Sequence, residues 1–511
     1  MTSLCTVSPL RPSIVASTAS RSLQDAFICR RCIHHQAFRS QLLQRQAARL
    51  DNPFLKAFNR SRPPKQSRAQ SSSPTAPSPL GSLSQRIGPR APPTESAAPA
   101  KTSSWPQTSD KSVAYWLLAS AASVFGIVVF GGLTRLTESG LSITEWRPVT
   151  GSFPPRNEQH WEDEFARYKL SPEFKMLNSR MNLDEFKQIY WMEWGHRLWG
   201  RVVGITFLLP TAYFVTRRRV SAPMALRLTG ICGLIGFQGF IGWWMVKSGL
   251  KDDLLETGSH PRVSQYRLTA HLGTAFIAYL SMLWNGLQIL REHKLLKDPQ
   301  RGLDLLETLQ RPELRAFRRS TVALAGLIFL TAMSGALVAG LDAGLVYNDF
   351  PWMGQGLLPP KREMFDPFYA HTEDQGDLIW RNMLENPVLA QLDHRVLATT
   401  TFTAVMTLWA YSRFSPRVRA TLPRDAAKGA FGLVHLVSLQ VVLGITTLWY
   451  LVPTALASAH QAGALALLTG AFVLGNRVWT PRRTMRLVQN AARSVRSQAV
   501  ATSGMARRGP Q

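Results

Sequence analysis

Four histidines occur near the starts of long apolar runs, where their side chains could bind a metal in pairs. They are His196, His271, His394 and His460. Neutral imidazole is a good ligand for haem iron, and two imidazoles that face each other across a helical bundle can bind the iron from both sides. Because a titratable side chain inside a membrane is costly without a partner, we predict that these residues form functional sites. The alternative is that each histidine forms a hydrogen bond with a neighbouring helix.

Arginines accompany these histidines on the same side of the predicted membrane segments. Arg197 and Arg395 directly follow two of the histidines, and Arg267 lies one helical turn before His271. Arg135 follows the first apolar run. Guanidinium groups bind carboxylates in a bidentate manner, so we expect these four arginines to bind the propionates of haem. The alternative, strongest for Arg135 and Arg267, is that the side chains extend to lipid headgroups.

A carboxylate distinguishes one histidine site from the other. Glu193 lies three residues before His196, hence on the same helical face, whereas the matching residue in the second half is Gln391. This asymmetry favours one site that carries out a reaction and one that supports it, and it makes Glu193 the predicted catalytic residue. The alternative is that Glu193 caps the helix or faces water.

The apolar runs that carry these residues are each about 20 residues long, enough to cross roughly 30 Å of hydrocarbon. The chain has 511 residues, of which 45% are hydrophobic. The predicted spans are 114–134, 193–215, 227–246, 267–289, 320–340, 392–412, 430–452 and 458–476. The predicted fold class is therefore an all-α membrane protein with eight transmembrane helices.

The two halves of the chain repeat each other. The stretch "GGLTRLTESGLSITEWRPVTGSFPP" (131–155) matches "GALVAGLDAGLVYNDFPWMGQGLLPP" (335–360), and Gly242 matches Gly444. The histidines fall in register in this alignment, at a similar depth near one membrane face. Both halves start on the same side, so we predict two pseudo-symmetric four-helix bundles related by an axis along the membrane normal.

The first 110 residues resemble a targeting segment in composition. Arginine and serine are frequent there, and Asp25 and Asp51 are the acidic residues before position 90. An Arg-rich, Ser-rich and acid-poor start is typical of a mitochondrial transit peptide. Three of the four cysteines also lie there, and Cys232 is the fourth, so no disulfide framework is expected in the mature chain.

The net charge of +27 is concentrated in the leader, in alternate loops and in the tail. Because it shows no basic-aromatic pattern, we expect no nucleic-acid binding. The positive-inside rule places the basic loops and both termini in the mitochondrial matrix, and the loops 135–192, 247–266, 341–391 and 453–457 in the intermembrane space. The predicted domains are a transit peptide and disordered linker (1–110), an N-terminal unit (111–290), a matrix linker (291–319), a C-terminal unit (320–480) and a basic matrix tail (481–511).

Several motifs together resemble the mitochondrial haem A synthases. They are "EWGHRLWGR", "AHLGTAF", "GLDAGLVYNDFPWMG", "LDHR", "AHQAGA" and the stretch 131–155, and the resemblance covers about 114–480. It implies a multi-pass enzyme of the mitochondrial inner membrane, an oxidoreductase that converts the C8 methyl group of haem O to a formyl group by successive hydroxylations. The product, haem A, is used by cytochrome c oxidase.

The resemblance also implies roles for individual residues. His196 and His271 would serve the substrate haem O in the N-terminal unit, and His394 and His460 would be the axial ligands of haem b in the C-terminal unit. Glu193 matches a glutamate that is important for function in the family. Some bacterial members carry a cysteine pair in the first external loop, but residues 135–192 contain no cysteine.

The predicted partners follow from this activity. They are haem O, haem A, membrane lipid and a ferredoxin-type electron donor, which would suit the basic matrix loops. Haem O synthase or assembly factors of cytochrome c oxidase subunit 1 could exchange haem with the chain, and a homo-oligomer is compatible with the sequence. Two other classes remain open. A non-catalytic bis-histidine cytochrome or haem chaperone would have the same ligands, and a duplicated secondary transporter would have broken helices near the membrane midplane.

Overall fold

The computed structural model describes residues 104–147, 149–251 and 262–506, the last six of these by their backbone alone. Within these ranges the secondary structure is helical, with one isolated bridge between Met353 and Gly356 and no β-strand. The prediction of an all-α protein is confirmed for this part of the chain.

Eight long helices, labelled α1 to α8 in chain order, make up most of the described structure. They are α1 (Lys111–Leu136), α2 (Leu183–Thr216), α3 (Ala222–Gly249), α4 (Gln265–Lys297), α5 (Arg315–Gly340), α6 (Pro387–Phe414), α7 (Arg424–Trp449) and α8 (Thr454–Val478). Shorter helices connect or follow them: Glu158–Lys169, Pro172–Met176, Pro299–Gln310, Lys361–Met364, Leu378–Glu385, Pro416–Thr421 and Arg482–Ala506, with 3₁₀ turns at Thr150–Ser152, Pro312–Leu314, Ala343–Leu345 and Pro367–Tyr369.

Six of the long helices, all except α4 and α6, are long and apolar enough to cross a membrane. The protein is therefore a multi-pass membrane protein. Helix α4 is more polar because it carries the buried residues Asn285, Gln288 and Glu292, and α6 carries Asp393 and Arg395. That these two helices also cross the membrane stays a prediction.

All eight long helices begin before the predicted spans, by two to ten residues, and the difference is largest at α2. Helix α2 begins at Leu183 rather than at the predicted residue 193, because Asn182 and Glu185 form a reciprocal capping box. The Asn182 side chain accepts from the Glu185 amide at 3.0 Å, and the Glu185 carboxylate accepts from the Asn182 amide at 2.9 Å. Helix α6 begins at Pro387, where the Asn386 side chain accepts from the second helical amide. The histidines of α2 and α6 consequently lie well inside their helices.

The helices pack in a repeated order. Helices α1 to α4 form contacts between α1 and α2, α2 and α3, α3 and α4, and α1 and α4. Helices α5 to α8 form the same four contacts in the same order. The two sets meet where α4 contacts α5 and α8 and where α1 contacts α8. Across this contact the Gln461 amide donates to the Val128 carbonyl at 3.0 Å, and Tyr279 bonds to Thr469 at 2.7 Å.

A small aromatic core joins the first turns of α2 to the connection between α1 and α2. Residues Trp161, Phe165 and Tyr168 of the helix Glu158–Lys169 pack against Phe186 and Tyr190 of α2. This packing explains why α2 extends beyond its apolar run, because the added turns bury aromatic side chains against that connection.

The predicted basic tail is partly helical. The helix Arg482–Ala506 packs on the helix Pro299–Gln310, and Leu306 and Val488 are buried at that contact together with Leu295 of α4. The tail is therefore attached to the same end of the molecule as the connection between α4 and α5.

Candidate functional site

His394 of α6 and His460 of α8 face each other. Their ring centres are 6.4 Å apart, and the two ring planes are at 89°. Two imidazoles that bind one iron through Nε2 have ring centres roughly 6 Å apart, because a metal–nitrogen bond is about 2 Å long and each ring adds roughly 1 Å. Among the described residues no hydrogen bond uses Nε2 of either ring. This pair therefore fits an iron ion between the rings.

A serine hydroxyl fixes the tautomer of His394. Ser334 Oγ donates its single proton to the Thr331 carbonyl at 2.7 Å, and it also lies 2.8 Å from His394 Nδ1. Since the hydroxyl proton is already used, Nδ1 must be the donor in the second hydrogen bond. Nε2 of His394 then keeps its lone pair, which is the form that binds iron.

His196 of α2 and His271 of α4 are the corresponding histidines of the first half. Phe130 stacks against His196 with 6.4 Å between ring centres. Nδ1 of His196, His271 and His460 is buried without a hydrogen-bond partner within the described residues. The alternative interpretation, in which each histidine forms a hydrogen bond with a neighbouring helix, therefore holds for His394 alone.

Each of the four histidine rings also packs against a glycine on the helix that precedes it. The pairs are Gly131 with His196, Gly242 with His271, Gly335 with His394, and Gly444 with His460. The nearest ring atom is Cε1 in every case. Sequence reasoning missed these glycines, although the repeat alignment pairs Gly242 with Gly444 and starts its other match at Gly131 and Gly335.

Glu193 is buried, with 3% of its surface exposed, and all of its hydrogen bonds lead to one loop and one arginine. Oε2 accepts from Ser142 Oγ at 2.6 Å and from the Ile143 amide at 2.7 Å. Oε1 accepts from two nitrogens of Arg197, at 2.6 and 3.0 Å. Glu193 therefore neither caps the helix nor faces water, and it holds the loop after α1 against α2.

Gln391 holds the matching loop in the second half, but it donates hydrogen bonds where Glu193 accepts them. Its exposure is 2%, and its amide donates to the carbonyls of Ala343 and Tyr347 at 2.9 and 3.0 Å. The side chain thus binds the loop after α5, as Glu193 binds the loop after α1.

Arg197 and Arg395 bind the same two loops. Arg197 donates to the carbonyl of Ile143 at 2.8 Å, and Arg395 donates to those of Tyr347 and Trp352 at 2.9 and 3.1 Å. Each arginine lies one helical turn after Glu193 or Gln391. Each therefore holds the loop after α1 or after α5 over the end of the helices that carries the histidines. Their binding to haem propionates stays a prediction.

The other two arginines lie at the same end. Arg267 donates to the Trp244 carbonyl at 2.6 Å and stacks over its ring at 4.4 Å. Arg135 reaches from α1 to the second half, where it donates to the Ala339 carbonyl at 2.9 Å and pairs with Asp342 at 3.1 Å. Arg135 thus joins the two halves, a contact that its position in the sequence did not reveal.

Arg262 strengthens this connection between the halves. It forms ion pairs with Glu138 at 2.7 Å and with Asp342 at 3.0 Å. These two acids match in the repeat, and both adopt the left-handed backbone conformation, with φ of 53° and 51°. The corresponding turns after α1 and α5 are therefore built alike and bridged by one cation.

A buried carboxyl, Glu173, lies in the connection between α1 and α2. Tyr168 donates to Glu173 at 3.2 Å, and the Asn178 amide donates to the Tyr168 oxygen at 2.8 Å. Burial raises the pKa of Glu173 to about 8. Sequence reasoning did not identify this group, because nothing in the local sequence predicts that it is buried.

Together these features define a class: a multi-pass helical membrane protein, built from two similar halves, with paired imidazoles at one end of each. A family model described as COX15-CtaA, cytochrome oxidase assembly protein, matches residues 114–472. The chain belongs to this family.

Individual relatives are similar over most of the chain. "Heme A synthase COX15" of Saccharomyces cerevisiae is 54% identical over 379 residues, which is 74% of this chain and 77% of that protein. "Heme A synthase COX15" of Homo sapiens is 47% identical over 375 residues, or 73% of this chain and 84% of that protein. "Heme A synthase-mitochondrial ferredoxin fusion protein" of Schizosaccharomyces pombe is 49% identical over 374 residues, 72% of this chain and 60% of that protein.

Proposed function

We propose that this chain is a haem A synthase, an oxidoreductase that converts the C8 methyl group of haem O to a formyl group. The observation that carries this proposal is the extended similarity to relatives with that name, at 54% and 47% identity. The spacing of 6.4 Å between the His394 and His460 rings supports it, because this spacing suits one iron.

The proposed architecture has eight transmembrane helices in two four-helix units, with the histidine end towards the intermembrane space and both termini in the matrix. The repeated helix contacts and the basic loops support it. The relative that is named as a fusion with a mitochondrial ferredoxin supports a mitochondrial location, and the inner membrane is the proposed membrane. The domain boundaries predicted from the sequence follow this division.

The proposed roles of the histidines differ between the halves. His394 and His460 hold haem b, which supplies one-electron transfer when it is bound. His196 and His271 position the substrate haem O. The Ser334 hydrogen bond supports this division, since it fixes the ligand tautomer in the unit that would hold a permanent cofactor.

Glu193 and Arg197 would keep the loop after α1 closed over the substrate and exclude water from it. The conversion of a methyl to a formyl group passes through the alcohol. A ferredoxin-type donor fits molecular oxygen as the oxidant, because each hydroxylation by O2 takes up two electrons and two protons and releases the second oxygen atom as water. Glu193 could hold a proton or orient water only if it gives up one of its four present hydrogen bonds. A positioning role needs no such change. The four arginines, on the same side, would bind the propionates.

The proposed electron donor is a ferredoxin-type protein. The Schizosaccharomyces pombe relative is named as a fusion with a mitochondrial ferredoxin, which supports this class of donor. Haem O synthase, assembly factors of cytochrome c oxidase subunit 1 and a second copy of the chain remain proposed partners.

The function is tested by expressing the chain in cells that lack haem A synthase and identifying the extracted haems by chromatography. We expect haem A with the unchanged chain, and haem O without haem A for His271→Ala. His435→Ala is the matched control, because His435 contacts Phe431 on α7, away from both pairs. Haem b alone from the unchanged chain would overturn the proposal and favour the non-catalytic cytochrome.

A further inference from the structure

We propose that Gly131, Gly242, Gly335 and Gly444 are positioning residues that orient the four imidazoles for haem binding. The inference rests on the proposed function, because it concerns how the histidines meet iron. Each glycine acts through the ring beside it.

The contact is repeated four times with the same geometry. A Cβ at Gly131 would lie 2.7 Å from Cε1 of His196, and a Cβ at each of the other three glycines would lie 3.1 Å from Cε1 of its histidine. The glycine is always on the helix that precedes the histidine helix. Among the glycines of the described residues, these are the four at which an added Cβ would meet an imidazole.

Ordinary carbon–carbon contacts lie at about 3.5 to 4.0 Å. A Cβ at Gly131 would therefore force the ring to turn or the helices to separate, and a Cβ at the other three positions would push the ring away by a few tenths of an ångström. Both ring nitrogens lie at similar distances from the same point, 3.3 and 3.4 Å at Gly131. The Cε1 edge therefore faces the glycine directly, and the direction of Nε2 is fixed by the close backbone.

Orientation matters because a ligand must point at the metal. Binding groups have to be held within about 0.5 Å and 10–20° of the productive geometry. Three of the four rings have no hydrogen bond at Nδ1 within the described residues, so steric contact is what orients them. Ser334 gives His394 an additional restraint.

The same helices supply matched controls. Gly326 on α5 and Gly432 on α7 have nothing within 4 Å of an added Cβ. Alanine has the same favourable intrinsic effect on helix stability at these positions as at Gly335 and Gly444. A difference between the paired variants therefore reports on the imidazole contact and not on helix propensity.

The experiment compares haem content and the low-spin spectrum of the purified full-length protein. Gly335→Ala and Gly444→Ala should lose bound haem or shift it to a high-spin form, whereas Gly326→Ala and Gly432→Ala should match the unchanged chain. If Gly335→Ala and Gly326→Ala have the same haem content and spectrum, the inference is wrong. A wild-type protein without low-spin haem would overturn the proposed function as well, so the two failures are distinguishable.

A double variant covers the case in which Gly335→Ala does not fold. His394→Ala removes the ring that the added methyl would meet, so Gly335→Ala should be accommodated in that background and cause no further loss of haem. Accumulation of folded His394→Ala/Gly335→Ala, measured by size-exclusion chromatography and thermal unfolding in detergent, supports the inference. Equal damage by Gly335→Ala with and without the histidine would contradict it, because the glycine would then serve helix packing alone.

Discussion

Glu193 and Gln391 occupy equivalent positions in the two halves, and each meets groups of complementary hydrogen-bonding type. Glu193 is surrounded by donors: a serine hydroxyl, a backbone amide and Arg197. Gln391 instead faces the carbonyls of Ala343 and Tyr347, which accept. The different residue types therefore follow from the two loops and do not require one of the residues to be catalytic.

Replacing Glu193 by Gln should destabilise the protein. The change leaves the largely buried Arg197, whose side chain is 17% exposed, without its carboxylate. Removing one partner of a buried ion pair costs about 3 to 5 kcal/mol. Gln391→Glu should also destabilise, because it places a carboxylate against two carbonyls. Thermal unfolding in detergent measures both effects, and a Glu193→Gln protein as stable as the unchanged chain would contradict the positioning role.

The hydrogen bond between Ser334 and His394 should affect the midpoint potential of the haem. Its hydrogen bond from His394 Nδ1–H makes the imidazole a stronger donor of electron density to iron. Ser334→Ala should therefore raise the midpoint potential of the bound haem, on the order of tens of millivolts, since a neutral hydrogen bond is worth about 1 kcal/mol. Potentiometric titration measures this shift.

Thr331→Val is the control for Ser334→Ala. It removes a neighbouring hydroxyl that bonds to Thr401 at 2.8 Å and leaves the Thr331 carbonyl that accepts from Ser334. An equal shift in Ser334→Ala and Thr331→Val would show that the potential responds to the packing of α5 and not to the ligand hydrogen bond.

At the scale of elements, the helices Glu158–Lys169 and Pro172–Met176 share a pH-dependent contact. Glu173 holds its proton up to about pH 8 in the folded chain, whereas an exposed glutamate loses it near its ordinary value of 4.5. The folded form thus binds more protons than the unfolded form between these values. Its stability should fall as the pH rises through this window, by up to about 1.4 kcal/mol per pH unit.

Hydrogen exchange of residues 158–176 tests this prediction. Amide protection there, corrected for the intrinsic pH dependence of exchange, should be weaker at about pH 8 than at about pH 5.5, and Glu173→Gln should remove the difference. Glu162→Gln, at an exposed carboxyl of the same region, should keep it. Protection that increases with pH in the unchanged chain would contradict the buried protonated state.

The eight long helices were predictable from apolar runs and the internal repeat, but their starts were not, and the difference is largest at α2. Helix α2 begins in a polar stretch, where Asn182 and Glu185 form the cap and Phe186 and Tyr190 pack against the connection between α1 and α2. Hydropathy does not identify such turns. Their stability comes from tertiary contacts with the helix Glu158–Lys169, which a single sequence does not show.

At the scale of the whole molecule, the two halves are connected by side chains that cross between them. Arg262 binds Glu138 and Asp342, Arg135 also binds Asp342, and Gln461 donates to α1. The histidine register was predictable because it follows from the repeat. The glycine contacts and the Ser334 hydrogen bond were not, because they depend on the rotation and separation of neighbouring helices.

The proposed topology predicts which loops a membrane-impermeant maleimide reaches. In a Cys232→Ser background, Glu373→Cys lies in the exposed connection between α5 and α6, and Arg417→Cys lies in the exposed connection between α6 and α7. In intact mitoplasts, residue 373 should be labelled, and residue 417 should be labelled only after permeabilisation. The opposite pattern would reverse the orientation of all the loops.

The central claim is that His394 and His460 together bind one haem, and paramagnetic resonance of the purified oxidised protein tests it most directly. The perpendicular rings of His394 and His460, at 89°, predict a strongly anisotropic low-spin signal. His394→Ala and His460→Ala should each abolish this signal, and His435→Ala should retain it. A low-spin signal that persists unchanged in both His394→Ala and His460→Ala would contradict the account.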